Sequence, residues 1–365
     1  MKKKIIIFHL LNNFTGSPQV LRNVIENLNP DEYEIELYTS LTRGFLSDIQ
    51  GVHYQSNYYF RSKYKLVTLF SFFFSQFLIF LKILFLNFKD NKPVFYVNTI
   101  LPFSAILVGK FKRIPVITHV HEYFVTPKIL NTFLFYITNN FSTKIIIVSN
   151  FLKINHVNSK AETLVIYNAL SSNFNKYNIL KDRSGSDLSF CVLMLASLRP
   201  YKGISDFISL AILNLDINFN LVLSDSQETV DKYFSSIYLP MNLKIFPSQR
   251  DVTPFYLEAD LVINLSNKNL WIETFGMTIL EAMNFGIPVI VPTIGGITEL
   301  VEDGINGFLI DSNDHNEISA KINLLKNDFY FWKKLSQNSF KISKDFSFEI
   351  FKRKINKVIL ESYYR

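Results

Sequence analysis

Two glutamates, Glu273 and Glu281, stand eight positions apart in Trp271-Ile272-Glu273-Thr274-Phe275-Gly276-Met277-Thr278-Ile279-Leu280-Glu281-Ala282-Met283. A glycine turn follows the first, and the second falls inside the helical pattern beyond it. A helix start offers free backbone N–H groups and a positive dipole end, both suited to phosphate. A carboxylate before the turn and one two turns into the helix can each accept hydrogen bonds from hydroxyls. The set fits a ligand with hydroxyls at both ends and phosphates between, as in a nucleotide sugar. The plainer alternative is a solvated helical Glu281, against which its apolar neighbours Ile279, Leu280, Ala282 and Met283 weigh.

Other chemistry is sparse. Arg199 and Lys202 lie beside Gly203, and His119 and His121 close an apolar run ahead of Glu122. The bland reading of that pair is a strand-end histidine satisfied by backbone. Gly16 opens a helical pattern after the first apolar run, where a missing side chain lets a ligand approach closely. Cys191 is the single cysteine, which excludes a disulfide scaffold and a cysteine-based metal cage. The six histidines have no metal-ligand spacing, and no Asp-x-Asp occurs. GxGxxG, GxxxxGK[ST] and GxSxG are all missing, which removes the main support for a dinucleotide enzyme, an ATPase or a serine hydrolase.

Parallel α/β layers must position these residues. Apolar runs at Ile5–Leu11, Tyr33–Thr39, Pro93–Val97, Val116–His119, Lys144–Val148 and Thr163–Tyr167 read as buried strands, with helical patterns such as Gln19–Asn27 and Phe103–Phe111 between them. A second series follows Ser171-Ser172-Asn173 and the polar stretch 181–187: Phe190–Ala196, Asn220–Ser224, Leu243–Phe246, Leu261–Asn264, Val289–Val291 and Gly307–Ile310. Buried strands alternating with helices predict parallel sheets covered on both faces. The 365 residues exceed one ordinary core, so the reading is α/β with two Rossmann-like domains, residues 1–172 and 187–345. A helix over 346–365 is expected to pack back on the first. Ligands of such sheets bind at the carboxyl ends of the strands, which places a shared ligand in a cleft that the two domains face.

The chain is basic overall, at +7, and 48% hydrophobic, with 36 phenylalanines. The charge is concentrated: Arg61, Lys63, Lys65, Lys82, Lys89, Lys92, Lys110, Lys112 and Arg113 face one acid, Asp90, over residues 61–113. This segment surrounds the most apolar part of the chain and holds no nucleic-acid-binding motif. It fits an anionic membrane surface better than a nucleic acid, at about 1 kcal/mol per cation near the surface. A solvated basic face is the alternative. Residues 66–86 are long enough to span a bilayer. However, Lys82 lies within them, both flanks are basic, and strand-like segments occur on either side. Thr68, Ser71, Ser75, Lys82 and Lys89 form a narrow polar stripe, so the expectation is an amphipathic helix lying in the membrane interface or packed on the domain. The N-terminal Met1-Lys2-Lys3-Lys4 and Ile5–Leu11 lack the length and cleavage site of a signal peptide, which leads to a cytoplasmic, peripheral expectation.

Beyond Glu273 and Glu281, the run Ala282-Met283-Asn284-Phe285-Gly286-Ile287-Pro288-Val289-Ile290, then Gly295-Gly296 and Glu302-Asp303-Gly304-Ile305-Asn306-Gly307-Phe308-Leu309, resembles the retaining glycosyltransferases of family 4, with the GT-B fold. Ser197-Leu198-Arg199-Pro200-Tyr201-Lys202-Gly203, Val165-Ile166-Tyr167-Asn168-Ala169 and Val148-Ser149 extend the resemblance over nearly the whole chain. It implies that Arg199 and Lys202 hold a donor diphosphate, that Glu273 contacts sugar hydroxyls and that Glu281 binds the ribose. Phe275, Gly276, Met277 and Thr278 would present the donor-binding helix start. His121, with His119 as the register alternative, would stand beside the sugar, and Gly16 would be near donor or acceptor. The family often has paired glycines in that first loop, whereas here Ser17-Pro18 follow a single one. The resemblance further implies a nucleotide-sugar donor, no cofactor, no metal, and retention by front-face attack assisted by the donor phosphate. With the basic, Phe-rich segment, it points to a lipid-linked saccharide acceptor in O-antigen, capsule or lipopolysaccharide synthesis at the inner face of a bacterial membrane. A nucleotide-sugar epimerase of the same fold and an inactive membrane-associated scaffold are the competing readings.

Overall fold

The computed structural model describes residues 2–88, 91–156, 159–170, 174 and 190–364. The linker signals at 171–173 and 181–187, together with Lys89 and Asp90, lie outside them. The chain divides into two compact units, residues 1–168 with 349–365, and residues 169–348.

In the first unit, seven strands form one parallel sheet: β1 (Lys3–Phe8), β2 (Tyr33–Ser40), β3 (Val52–Asn57), β4 (Val94–Asn98), β5 (Val116–Val120), β6 (Lys144–Ile147) and β7 (Glu162–Val165). Their order is β3-β2-β1-β4-β5-β6-β7. The inner strands β1, β4, β5 and β6 are nearly unbroken runs of Ile, Val and Phe, as helices on both faces require. In the second unit, β8 (Cys191–Ala196), β9 (Asn218–Leu223), β10 (Leu243–Phe246), β11 (Leu261–Ile263), β12 (Val289–Val291) and β13 (Gly307–Leu309) form a parallel sheet in the order β10-β9-β8-β11-β12-β13. Each sheet therefore has a point where successive connections leave in opposite directions, β1/β4 in the first and β8/β11 in the second.

Twelve of the thirteen strands coincide with predicted apolar runs, to within a few residues at their ends. The exception, β3, reads Val-His-Tyr-Gln-Ser-Asn and is half exposed at the sheet edge, so it carries no apolar run. The last helix, Phe348–Tyr363, is joined to the first unit by Asn27 Nδ2 donating to Asn356 Oδ1 (3.0 Å) and Tyr363 Oη donating to Lys4 O (2.7 Å). Its Glu361 also pairs with Lys144, whose side chain is completely buried.

Helix Lys65–Leu84 departs from the usual polarity of a surface helix. Its small polar residues face inward: Ser71, Ser75 and Gln76 are buried beside Phe72, Ile79 and Ile83. Gln76 Oε1 accepts from Ser104 Oγ (2.8 Å) and Ser104 N (3.3 Å), while Ser71 Oγ accepts from Phe60 N (3.0 Å). The outward face carries Leu66, Phe70, Phe73, Phe74 and Phe77, with Phe70 at 73% exposure. Part of the polar stripe is thus an anchor to the unit, and the helix turns its apolar side away from it. Lys82 reaches Gln55 on β3 (2.5 Å), and Lys112 donates to Leu86 O (2.5 Å), so these two cations are tied into the fold. The helix is long and apolar enough to cross a membrane by length and composition, with mean hydropathy 2.0. Yet β3 before it and β4 after it belong to one sheet.

Candidate functional site

In the second unit, the chain leaves β8 through Ser197–Gly203 and β11 through Asn264–Gly276, so both segments start at the carboxyl ends of the two strands flanking the switch point. This is where open parallel sheets bind ligands. Lys202 and Glu273 meet there as an ion pair with mostly buried side chains. Ser266 Oγ donates to the same carboxylate oxygen (2.6 Å). Burial pushes the Glu273 carboxyl up, but the Lys202 charge and the hydrogen bonds from Lys202, Ser266 and Asn264 outweigh it and hold the group below its ordinary range. Glu273 is therefore an anion, held by Lys202 and Ser266 at the carboxyl end of the sheet. Tyr201 and Trp271 stack at 4.9 Å, with the Lys202 ammonium within 6 Å of both rings. Arg199, exposed on the same turn, has no side-chain partner among the described residues.

The Glu273 backbone is pinned by the glycine pair after β12. Gly296 N donates to Glu273 O (2.8 Å), and Gly295 sits at φ 118°, where a Cβ would come within 2.6 Å of that carbonyl. Gly276, at φ 105°, turns the chain into helix Met277–Asn284, and a Cβ there would strike Ile297. The first amides of that helix, on Met277 and Thr278, precede its own hydrogen-bond ladder. Phe275 is buried against Phe346, so only its backbone is available to a ligand.

Glu281 is buried one side of that helix, with Tyr256 Oη donating to its Oε2 (2.7 Å). Burial raises its carboxyl to about 7, against the lowering effect of the tyrosine bond. The solvated alternative for this residue does not hold. Sequence reasoning missed Tyr256, Ser266 and Asn264, which orient the two glutamates. An isolated tyrosine or serine has no spacing that marks it.

Gly16 and His121 lie in the first unit. Gly16 is the first residue of helix Gly16–Glu26, and a Cβ there would meet nothing within 4 Å, so the fold itself does not require a glycine. His119 is wholly buried on β5, with its Nδ1 2.8 Å from Tyr96 Oη. His121 lies just past the end of β5, partly exposed, with Nε2 3.0 Å from Asn98 Oδ1. The two rings are 4.3 Å apart. Glu122 turns back so that its carboxylate accepts from Ile100 N and His121 N (3.2 Å each), and burial raises it to about 7. Between these elements Thr99 holds φ 74°, a strained conformation for a β-branched residue and typical of functional sites. His9, Asn98, Thr99 and Glu122 were not singled out in the sequence. Their shared signal is a polar residue at, or within two residues of, the end of an apolar strand.

Residues 180–342 match the family model described as Glycosyl transferases group 1. An uncharacterized glycosyltransferase of Methanocaldococcus jannaschii, MJ1178, is 32% identical over 221 residues, which is 59% of this chain and 58% of that one. The matched stretch thus spans little more than half of that relative. HepE of Anabaena, solved with UDP and glucose and with UDP-glucose, superposes with a TM-score of 0.77 at 20% identity, covering 98% of this chain and 99% of that one. The lipopolysaccharide outer core galactosyltransferase WaaB superposes with a TM-score of 0.71 at 16% identity, covering 98% and 99%. The chain has the GT-B fold of two Rossmann-like units, and residues 180–342, within its second unit, match the glycosyl transferases group 1 model.

Proposed function

We propose that the protein is a retaining glycosyltransferase that moves a hexose-type sugar from a nucleoside diphosphate sugar, UDP ahead of GDP, to a lipid-linked oligosaccharide in surface polysaccharide synthesis. The observation that carries this reading is the Lys202–Glu273 pair at the β8/β11 switch point, beside the helix start at Met277 and with Glu281 behind it. Cation, free amides and two carboxylates match diphosphate and hydroxyl groups in that order. The complexes of HepE with UDP and UDP-glucose favour UDP as the nucleotide.

Breaking the sugar–phosphate bond develops positive charge on the sugar and negative charge on the departing diphosphate. Arg199, Lys202 and the amides of Met277 and Thr278 would stabilise the diphosphate. Its charge would draw Lys202 from Glu273, freeing that carboxylate for sugar hydroxyls. Glu281 would take the ribose hydroxyls, and His121 in the first unit a hydroxyl of the substrate. The reading uses neither a metal nor a cofactor, so turnover should survive EDTA. For the acceptor side, the outward phenylalanines of helix Lys65–Leu84 and the exposed Arg61, Lys63, Lys65 and Arg113 support a peripheral site on an anionic, cytoplasmic membrane face.

Thermal stabilisation by UDP, GDP, dTDP and NAD at matched concentration tests the donor site. A nucleotide at 100 times its dissociation constant adds about 2.7 kcal/mol. One nucleoside diphosphate should stabilise the chain and fail to stabilise Glu281→Ala. Stabilisation by NAD alone would overturn the reading.

A further inference from the structure

The first unit has its own switch point at β1/β4, and a hydrogen-bonded chain of side chains lies across its carboxyl end. His9 follows β1, Asn98 ends β4 and His121 follows β5. Two backbone carbonyls fix the direction of every bond in this chain, because a carbonyl can only accept. Asn98 Nδ2 lies 3.1 Å from Ser17 O, which sets the orientation of the Asn98 amide. His9 Nε2 lies 3.0 Å from Leu11 O, so Nε2 carries the proton of a neutral His9. His9 Nδ1 is then bare and accepts from Asn98 Nδ2 (3.0 Å). Asn98 Oδ1 is left as an acceptor 3.0 Å from His121 Nε2, which must therefore carry the proton. A neutral His121 consequently presents a bare Nδ1, which has no partner among the described residues.

We propose that His9 and Asn98 are positioning residues that lock His121 in its Nε2–H tautomer, so that Nδ1 accepts a hydrogen bond from a hydroxyl of the bound saccharide. The saccharide half rests on the glycosyltransferase reading, whereas the tautomer half does not. The surroundings keep the imidazole neutral. Burial holds His9 near 4, His119 near 3 and His121 well below the ordinary value, the last also through its neighbours His119 and His9. The other titratable group against it, Glu122, takes the Ile100 and His121 amides at its Oε2, and burial raises its carboxyl to about 7. A lone pair held in this way repels a carboxylate or phosphate and rewards a hydroxyl. That is a selection a freely titrating histidine would not make. The strain at Thr99, directly after Asn98, marks the same spot independently.

Imidazole 15N spectra of the full chain test this, with His121 assigned through His121→Gln. The expected spectrum is a neutral Nε2–H imidazole from pH 6 to pH 8, whose Nδ1 resonance moves on adding UDP-glucose or UDP-galactose but not UDP. In Asn98→Leu both tautomers of His121 should appear. If that variant fails to fold, Asn98→Asp gives a second reading, because a carboxylate at that position should make His121 titrate at a higher pH. An Nδ1–H or protonated wild-type imidazole overturns the proposal whatever the enzyme does. A correct tautomer whose Nδ1 ignores sugars that do stabilise the protein overturns the hydroxyl assignment. If no nucleotide or nucleotide sugar stabilises the chain, the donor reading and the saccharide half fall together, and the tautomer stands by itself.

Discussion

Lys202 and Glu273 are bound to each other before any ligand arrives, and this changes what their substitution reports. Lys202→Ala would remove a diphosphate contact but also leave the mostly buried Glu273 carboxylate without its cation. Breaking a fully buried pair costs about 3–5 kcal/mol, and the residual exposure here sets the cost below that range. Turnover of Lys202→Ala should fall by orders of magnitude, with a lowered melting temperature. Lys202→Met combined with Glu273→Gln should recover the stability but not the activity, as a double-mutant cycle of melting temperature and rate would show. Glu281 gives a second prediction through pH. Its carboxyl titrates near 7 in the folded chain, against about 4.3 when unfolded. The folded state therefore binds more protons between those values, and the stability contribution is full below about 4 and lost as pH rises through 7. The shift corresponds to at most about 4 kcal/mol. Glu122, raised for the same reason, adds a similar slope. Glu281→Gln should flatten part of the decline in melting temperature between pH 4.5 and pH 7.5 and leave the Glu122 part in place. An unchanged slope would mean that Glu281 is ionised when folded.

At the scale of elements, helix Lys65–Leu84 separates two roles that most surface helices combine. Its buried edge, with Ser71, Ser75 and Gln76 beside Phe72, Ile79 and Ile83, holds it to the first unit, and Phe73 adds an edge contact with Phe103 (6.3 Å), whereas Phe70, Phe74 and Phe77 are left largely exposed. Replacing Phe70, Phe74 and Phe77 together by Ser should leave the melting temperature within a degree or two and abolish co-sedimentation with anionic phospholipid vesicles. Gln76→Leu should do the reverse, costing about 1–3 kcal/mol by leaving Ser104 without its acceptor while vesicle binding persists. The sequence already carried the length, composition and polar stripe of this helix. It did not carry which side faces the unit, since small polar residues serve either as a solvated face or as a close-packed anchor. The same distinction separates the strands. The inner strands were legible because burial on both faces demands runs of Ile, Val, Leu and Phe, and β2, β7 and β10 still carry enough apolar residues to be read, whereas β3, half exposed at its edge, carries no such run. Of the site, the residues in the Glu273–Glu281 stretch were legible because a turn glycine and a helix start have fixed local spacing. Tyr256, His9 and Asn98 were not, because their partners are brought together only by the fold, and Ser266 was not, because it meets Glu273 through an irregular loop with no fixed spacing.

The whole molecule is asymmetric in how its units are closed. The second unit is one continuous stretch with a core running from Phe190 to Leu335, including Trp332, whose Nε1 donates to Asp260 O (2.8 Å). The first unit is completed only by residues 349–365. That segment buries Phe351, Ile355, Val358 and Ile359 and supplies Glu361 to the completely buried ammonium of Lys144. At about 1.5–3 kcal/mol per buried apolar side chain, the four contribute roughly 6–12 kcal/mol. That is comparable with the whole stability of an ordinary domain, about 5–15 kcal/mol. A fragment of residues 1–168 should therefore fail to fold cooperatively, and the same fragment joined through a flexible linker to residues 349–365 should regain a thermal transition. A fragment of residues 169–348 should fold by itself and retain stabilisation by the nucleoside diphosphate, since Arg199, Lys202, Glu273 and Glu281 all lie within it. Calorimetry of the three fragments decides the matter. A cooperative transition in residues 1–168 alone would show that the returning helix is an ornament of the first unit and not part of its core.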